Sequence, residues 1–334
     1  MKKTAVSLLA IAFSASIFAQ SVPSTSTPIQ NLKGFELFGT ASFGMFGLNY
    51  LPANGSHIDG PGIRVGVGGG FFINPCWGIT TGFNMATYST FSTIASGTSY
   101  SYTAYDSDGY PYSQQIKVNT KISESDFAYQ CEIPLMLNYR HYLPSGNAYY
   151  IAGGAKMSFP IGGYFHVFRG VVTSSCNYNL PYNNLGATLS NLPWLGFNTT
   201  ELSGTNGKIS LNESYVASLE VGYLYKLKKT TFVTLSVFGD YGLNSARDQI
   251  SQQNLVLPTN QYTGIPCSTA VNFVRLMSFG VKASWHINIS GEPTHGKKKT
   301  YEQPQKSNDN TPINNTHSHM GGHQRMGGMG GMNN

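Results

Sequence analysis

The chain has 334 residues, of which 40% are hydrophobic, 13% aromatic and only 11% charged, with 38 glycines and 21 tyrosines. Soluble domains carry about 25% charge, yet after the start no run reaches the roughly 18 apolar residues of a spanning helix, so a helical bundle is excluded and a closed barrel is the remaining way across a bilayer. The net charge of +6 includes Lys2, Lys3 and the run Lys297 to Lys299, and it gives no footprint for nucleic acid.

Residues 1–19 read as a signal peptide, with Lys2 and Lys3 as its charged region, Ala5 to Phe18 as its apolar core and Ala19 as the small residue before cleavage. No Cys follows, which argues against a lipid anchor. Residues 20–33, rich in Ser, Thr and Pro, form a flexible lead-in, and a barrel is expected over 34–289. Its first strand is Gly34 to Tyr50. The second, Gly62 to Ile73, sets Ile63, Val65, Val67 and Phe71 on one face against Arg64, Gly66, Gly68 and Gly70 on the other. The third is Trp77 to Tyr88, and a polar, Tyr-dotted loop from Ser89 to Ser125 follows.

Phe127 to Phe159 reads as a hairpin of the fourth and fifth strands. Phe127, Tyr129, Cys131, Ile133, Leu135, Leu137 and Tyr139 alternate with Gln130, Glu132, Asn138 and Arg140, so a period of two separates a greasy wall from a wall holding charge. Pro144 and Gly146 mark the turn, and Tyr149, Ile151, Gly153, Ala155 and Met157 resume the apolar face opposite Lys156. After a second long polar segment, from about Gly162 to Asn212, come the sixth strand (Glu213 to Leu227), the seventh (Thr231 to Leu243), a loop from Asn244 to Ala270, and the eighth (Val271 to Ile289).

Turns after even-numbered strands are short and those after odd-numbered strands mostly long, the asymmetry of an outer-membrane barrel with its long loops outside. The fold class is therefore all-β, an eight-stranded antiparallel up-and-down transmembrane barrel. Aromatic girdles are expected from Trp77, Tyr139, Tyr149, Tyr223 and Trp285 on the periplasmic side and from Tyr50, Tyr88, Tyr215 and Tyr241 outside.

The segments Cys131-Glu132-Ile133-Pro134-Leu135-Met136-Leu137, Ile151-Ala152-Gly153-Gly154-Ala155-Lys156, Ser218-Leu219-Glu220-Val221-Gly222-Tyr223 and Phe279-Gly280-Val281-Lys282 resemble strands of the PorT-type outer-membrane β-barrel family. The resemblance implies a barrel similar to the membrane domain of outer membrane protein A, in the outer membrane of a Gram-negative bacterium. It implies location far more than activity. The chain departs from the barrel pattern by running on past Ile289, where assembly machinery usually reads a terminal aromatic.

Several groups carry chemistry. Glu132, Lys156, Glu220 and Lys282 share the polar parity near mid-strand, and Glu132, Lys156 and Glu220 are expected to form a ladder across neighbouring strands. That ladder is either a gate in a narrow channel or a plug that satisfies itself; eight strands leave room for little more than side chains, which favours the plug. Arg275 breaks parity, either reaching for lipopolysaccharide phosphates at the rim or belonging to the loop before strand eight. Cys176 and Cys267 fall in external loops and form a candidate disulfide, while Cys76 and Cys131 are expected to be free.

The tail, residues 290–334, holds His317, His319, Met320, His323, Met326, Met329 and Met332 among glycines, donors suited to copper or nickel, or else an unstructured end. No enzyme is expected. His57 and Asp59 share the first loop and His166 begins the third, without a nucleophile motif beside them. The expected partners are outer-membrane lipid and lipopolysaccharide, the barrel assembly machinery, and a surface ligand at Tyr-, Ser- and Gly-rich loops.

Overall fold

The computed structural model describes residues 34–105, 111–178, 187–228, 230–247, 254–257 and 261–290. The leader, the lead-in and the His/Met tail lie outside these residues.

Thirteen strands build one antiparallel sheet: β1 (Gly34–Asn49), β2 (Gly55–Asp59), β3 (Pro61–Phe72), β4 (Trp77–Ile94), β5 (Ser99–Tyr105), β6 (Pro111–Tyr142), β7 (Ala148–Tyr178), β8 (Ala187–Leu189), β9 (Thr199–Glu201), β10 (Asn206–Lys208), β11 (Ser214–Lys226), β12 (Thr231–Gly242) and β13 (Arg275–Asn288). Eight of them close a ring in the order β1-β3-β4-β6-β7-β11-β12-β13, and β13 pairs back onto β1 from Glu36↔Asn288 to Asn49↔Arg275. No described helix is long and apolar enough to cross a membrane. The expected eight-stranded antiparallel barrel is thus the observed one, with ring strands within a few residues of the expected bounds at most ends.

Alternation sets the two walls. On β6, Ile133, Leu135 and Leu137 are exposed while Glu132, Asn138 and Arg140 are buried. The same inversion holds at Leu219 and Val221 against Glu220, and at Phe279 and Val281 against Ser278. Apolar outside and polar inside is the reverse of a water-soluble barrel, because here the outer solvent is hydrocarbon.

Three short turns join strands at one end. In the first, the Asn74 side chain accepts the Cys76 and Trp77 N–H groups at 2.9 and 2.8 Å. In the second, Leu143 N–H reaches Asn147 O at 2.8 Å and Gly146 takes a positive φ of 83° that a side chain would strain. In the third, Leu227 N–H donates to Thr231 O at 3.0 Å.

The far end differs from the sequence expectation. Ser89 to Ser125 and Gly162 to Asn212 are not simply loops: β4 runs on to Ile94, β6 begins at Pro111 and β7 extends to Tyr178. The 32 residues of β6 span roughly 100 Å at the usual rise, several times a hydrocarbon core. Past the membrane these strands gather β2, β5, β8, β9 and β10 into a raised crown. Register shifts between Val118 and Thr120, Thr120 and Ser123, and Ser123 and Glu124 bend the β6–β7 pair there, as bulges do. Strand eight begins at Arg275, not Val271, because Val271 and Val274 pack into the mouth while Asn272 and Phe273 between them stay exposed, a spacing that breaks the alternation of a strand.

Candidate functional site

The lumen is filled by three tiers of ion pairs. In the upper tier Arg64 on β3 binds Glu132 on β6 (Nε to Oε2, 2.7 Å) and Asp240 on β12 (Nη2 to Oδ2, 2.8 Å). Lys156 on β7 reaches the other oxygen of Asp240 at 2.8 Å, Tyr88 donates to Glu132 at 2.8 Å, and Ser218 and Ser278 donate to Asp240 at 2.6 and 2.7 Å. The Arg64 guanidinium also lies 4.9 Å from the Phe46 ring and 5.2 Å from Phe238.

The middle tier joins Lys282 on β13 to Glu220 on β11 at 2.8 Å, with Tyr150 and Ser236 also donating to Glu220. In the lower tier Arg140 grips Glu36 with a two-pronged bond of 2.7 and 2.8 Å and stacks 3.7 Å from the Phe72 ring, beside His286. Each cation of these three tiers meets a carboxylate, which offsets the cost of taking both charges from water. Only a cavity of about 40 Å³ opens between the middle and lower tiers, lined by Met136, Arg140, Tyr150, Glu220, Lys282 and His286.

All of Glu132, Lys156, Glu220 and Lys282 line this lumen, but not as the ladder expected. Glu132 sits opposite Ser158 and Lys156 opposite Val216, while Glu220 sits opposite Ala152, so Lys156 stands well up the wall from Glu220. Strand tilt instead brings partners together across the lumen. Arg64 and Arg140, which the sequence sets on the polar wall without joining them to the charge cluster, belong to these tiers, as do Glu36 and Asp240, which it does not single out; all four share the inward parity of their strands, the signal that finds them.

Above the tiers the mouth is closed by a dry cluster. Phe46, Leu48, Tyr88, Ile94, Ile116, Ile122, Phe165 and Val167 from the ring and crown pack against Leu255, Val256, Tyr262, Ile265, Val271 and Val274, contributed by the β12–β13 connection. Tyr50 and Tyr88 belong to the interior rather than to a girdle: both are buried, Tyr50 donating to Asp126 and Tyr88 to Glu132, because both fall on the inward parity.

On the outer wall of β6 the residues change from Tyr139, Leu137, Leu135, Ile133 and Tyr129 to Ser125, Ser123 and Lys121, so the greasy band ends near Phe127. About ten tilted residues cover the roughly 25 Å such a band needs. Ring pairs Trp77–Tyr139 (4.8 Å) and Tyr149–Tyr223 (5.0 Å) mark one edge, and Phe127–Tyr164 (5.1 Å) marks the other.

Arg275 stands at that second edge on the outward parity, opposite Asn49. Its Nη1 donates to the Tyr241 hydroxyl at 2.7 Å and its guanidinium lies 4.9 Å from the Phe273 ring. The candidate disulfide is corrected: all four cysteines are free. Cys176 is buried with Tyr112 and Phe197 far up the crown, whereas Cys267 packs over the mouth with its thiol toward Ser210 O, so separate clusters hold them apart. His57 hydrogen-bonds Asn49 at 3.2 Å and His166 bonds Asn206 at 2.6 Å; among the described residues neither imidazole meets a hydroxyl or thiol. His317, His319, His323, Met320, Met326, Met329 and Met332 lie outside the described residues.

A ring closed by backbone hydrogen bonds, an apolar outer band between aromatic edges and a charge-filled lumen together define a transmembrane β-barrel of the outer-membrane type. No family model and no curated protein matches the chain, so the PorT-type pattern remains a resemblance. Among solved structures it is similar to Neisserial surface protein A (10% identity, 76% of this chain and 97% of that one, TM-score 0.31) and to the outer membrane protein OprG from Pseudomonas aeruginosa (11%, 78% and 100%, 0.35). It is also similar to Ail, the attachment invasion locus protein of Yersinia pestis, solved with the heparin analogue sucrose octasulfate (8%, 76% and 99%, 0.26).

Proposed function

We propose that this chain is a closed barrel of a Gram-negative outer membrane, of the PorT type, with its short turns in the periplasm and its crown outside, and that its work is structural or is done by the crown on surface ligands. The dry cluster over the mouth is the observation that carries this reading, since water and ions do not cross a packed apolar plug. The neutral tiers beneath it support a plug rather than a pore, and the 40 Å³ cavity has room for a few waters at most. A gated channel is the competing reading. Refolded protein in a planar bilayer is expected to stay silent at neutral pH; steady unitary openings would overturn the closed-barrel reading.

The crown offers Trp194, 76% exposed on a single 3-10 turn, next to Leu195, and an exposed tryptophan is a natural anchor for a partner. Trp194→Ala is expected to reduce adhesion of cells displaying the protein while leaving its surface level unchanged. At the rim, lipopolysaccharide phosphate is the proposed ligand of Arg275, a reading supported by its outward parity beside Tyr241. The tail stands as a separate proposal from composition alone: copper or nickel titration of the full chain is expected to show sites that vanish when residues 317–334 are deleted.

A further inference from the structure

Just above the membrane edge, two carboxyls point inward from β6 in consecutive inward positions, Glu124 and Asp126, and both are wholly buried. Glu124 holds the β12–β13 connection: one of its oxygens accepts the Tyr262 hydroxyl at 2.6 Å and the other accepts the Ile265 N–H at 2.8 Å. Asp126 accepts the Tyr50 hydroxyl at the end of β1 and faces Ser92 of β4 at 3.5 Å, while its Oδ1 is buried without a donor. The two carboxyls stand at successive inward positions of one strand, both shut away from water, and two neighbouring buried carboxyls with no cation beside them cannot both ionise cheaply, so the pair holds a proton.

Among the described residues none supplies a counter-charge by direct contact. Opposite them on β7 stand Phe165 and Val167. From the connection come the Tyr262 phenol and the Cys267 thiol, and beyond Cys267 the Arg247 guanidinium, which donates to Val271 O instead. Arg64, the nearest cation of the upper tier, is committed to Glu132 and Asp240. Among the described residues no cation hydrogen-bonds either carboxyl.

We propose that Glu124 and Asp126 form a proton lock: the protonated pair holds the 261–274 segment down in the barrel mouth, and loss of its protons releases that segment and reshapes the outer surface. The polar groove that Tyr262, Gln261 and Thr263 form with Thr200, Asn206 and Lys208 is dismantled when the segment leaves. The lock does not depend on what the crown binds, nor on whether the barrel conducts.

The sign follows from linkage. Burial pushes Asp126 up to about 6, and burial together with the neighbouring Asp126 charge pushes Glu124 well above its usual value. Once the segment has left, both carboxyls, which stay on β6, face water with ordinary values. The docked state therefore binds more protons, so docking is fully favoured at acid pH and weakens as pH rises through the raised values, from about 6 upward.

Hydrogen exchange of the full-length refolded protein, corrected for the intrinsic pH dependence of exchange, tests this. Protection over 261–274 is expected to fall about tenfold or more between roughly pH 5 and pH 8, while that of β13 holds. Glu124→Gln with Asp126→Asn keeps the side-chain shape and one acceptor oxygen at each position, makes the other atom a donor and removes the titration, and its protection is expected to be flat with pH. A flat wild-type profile, or the same fall in the double variant, would overturn the lock. Should the variant fail to fold, the wild type alone decides: the infrared band of a buried protonated carboxyl is expected at about pH 5 and weakened by about pH 8, and its absence at the lower pH, or its persistence unchanged at the higher, overturns the proposal.

Discussion

Arg64 shows how much one side chain holds in this lumen. Its guanidinium meets Glu132 and Asp240 as ion pairs, and Tyr88 and Ser278 at 3.3 and 3.2 Å, with the adjacent Phe46 and Phe238 rings 4.9 and 5.2 Å away. Removing it strands two buried carboxylates, of which Asp240 keeps Lys156 and Glu132 keeps only Tyr88. Arg64→Ala is expected to cost about 3–5 kcal/mol in urea unfolding of the refolded barrel. Arg64→Lys, which keeps the charge but cannot fork, is expected to restore only part of that loss. Parity made Arg64 legible as an inward charge from sequence alone. Its partner Asp240 lies 176 residues away, and the tilt that brings them together is written in the register of the whole ring, not in any local period.

At the scale of elements, the membrane halves of the strands were legible because apolar and polar residues alternate strictly there. The crown was not, for a physical reason: Ile116, Val118 and Ile122 do face inward, but the register shifts around Thr120 and Ser123 break the period of two just where polar, Tyr-rich composition already suggests a loop. Ile116→Ala is expected to cost about 2–4 kcal/mol of crown stability, read as faster hydrogen exchange over 111–122 with the membrane strands unchanged. The β1–β13 pairing makes a different demand. A side chain at Gly44 would come within 2.1 Å of Phe279 O, and one at Gly280 within 2.2 Å of Phe43 O, so the two glycines let the backbones lie close where they face each other. Gly280→Val is expected to block closure, seen as loss of the heat-modifiable band shift of the folded barrel on gels.

For the whole molecule, occlusion comes from two barriers in series. Arg64, Arg140, Lys156 and Lys282 balance Glu36, Glu132, Glu220 and Asp240 within the lumen, and the apolar cluster stands over them. On the closed-barrel reading, either barrier alone is expected to stop ions. Replacing residues 254–274 with a short Gly/Ser linker is therefore expected to leave a bilayer silent, as is neutralising Arg64 and Glu132 together. Conductance is expected only when both changes are combined, and openings in either single variant would show that its partner barrier leaks.

The join between β1 and β13 also sets the order of events in assembly. These two strands carry the first and last ring positions, so the final row of hydrogen bonds cannot form until nearly the whole chain has arrived. Contacts so distant in sequence make folding slow, and during that delay a wall of exposed leucine, valine and phenylalanine has no lipid to face. An escort across the aqueous compartment between synthesis and insertion is therefore expected, with the half-life of the chain there set by that escort rather than by the strength of the finished ring.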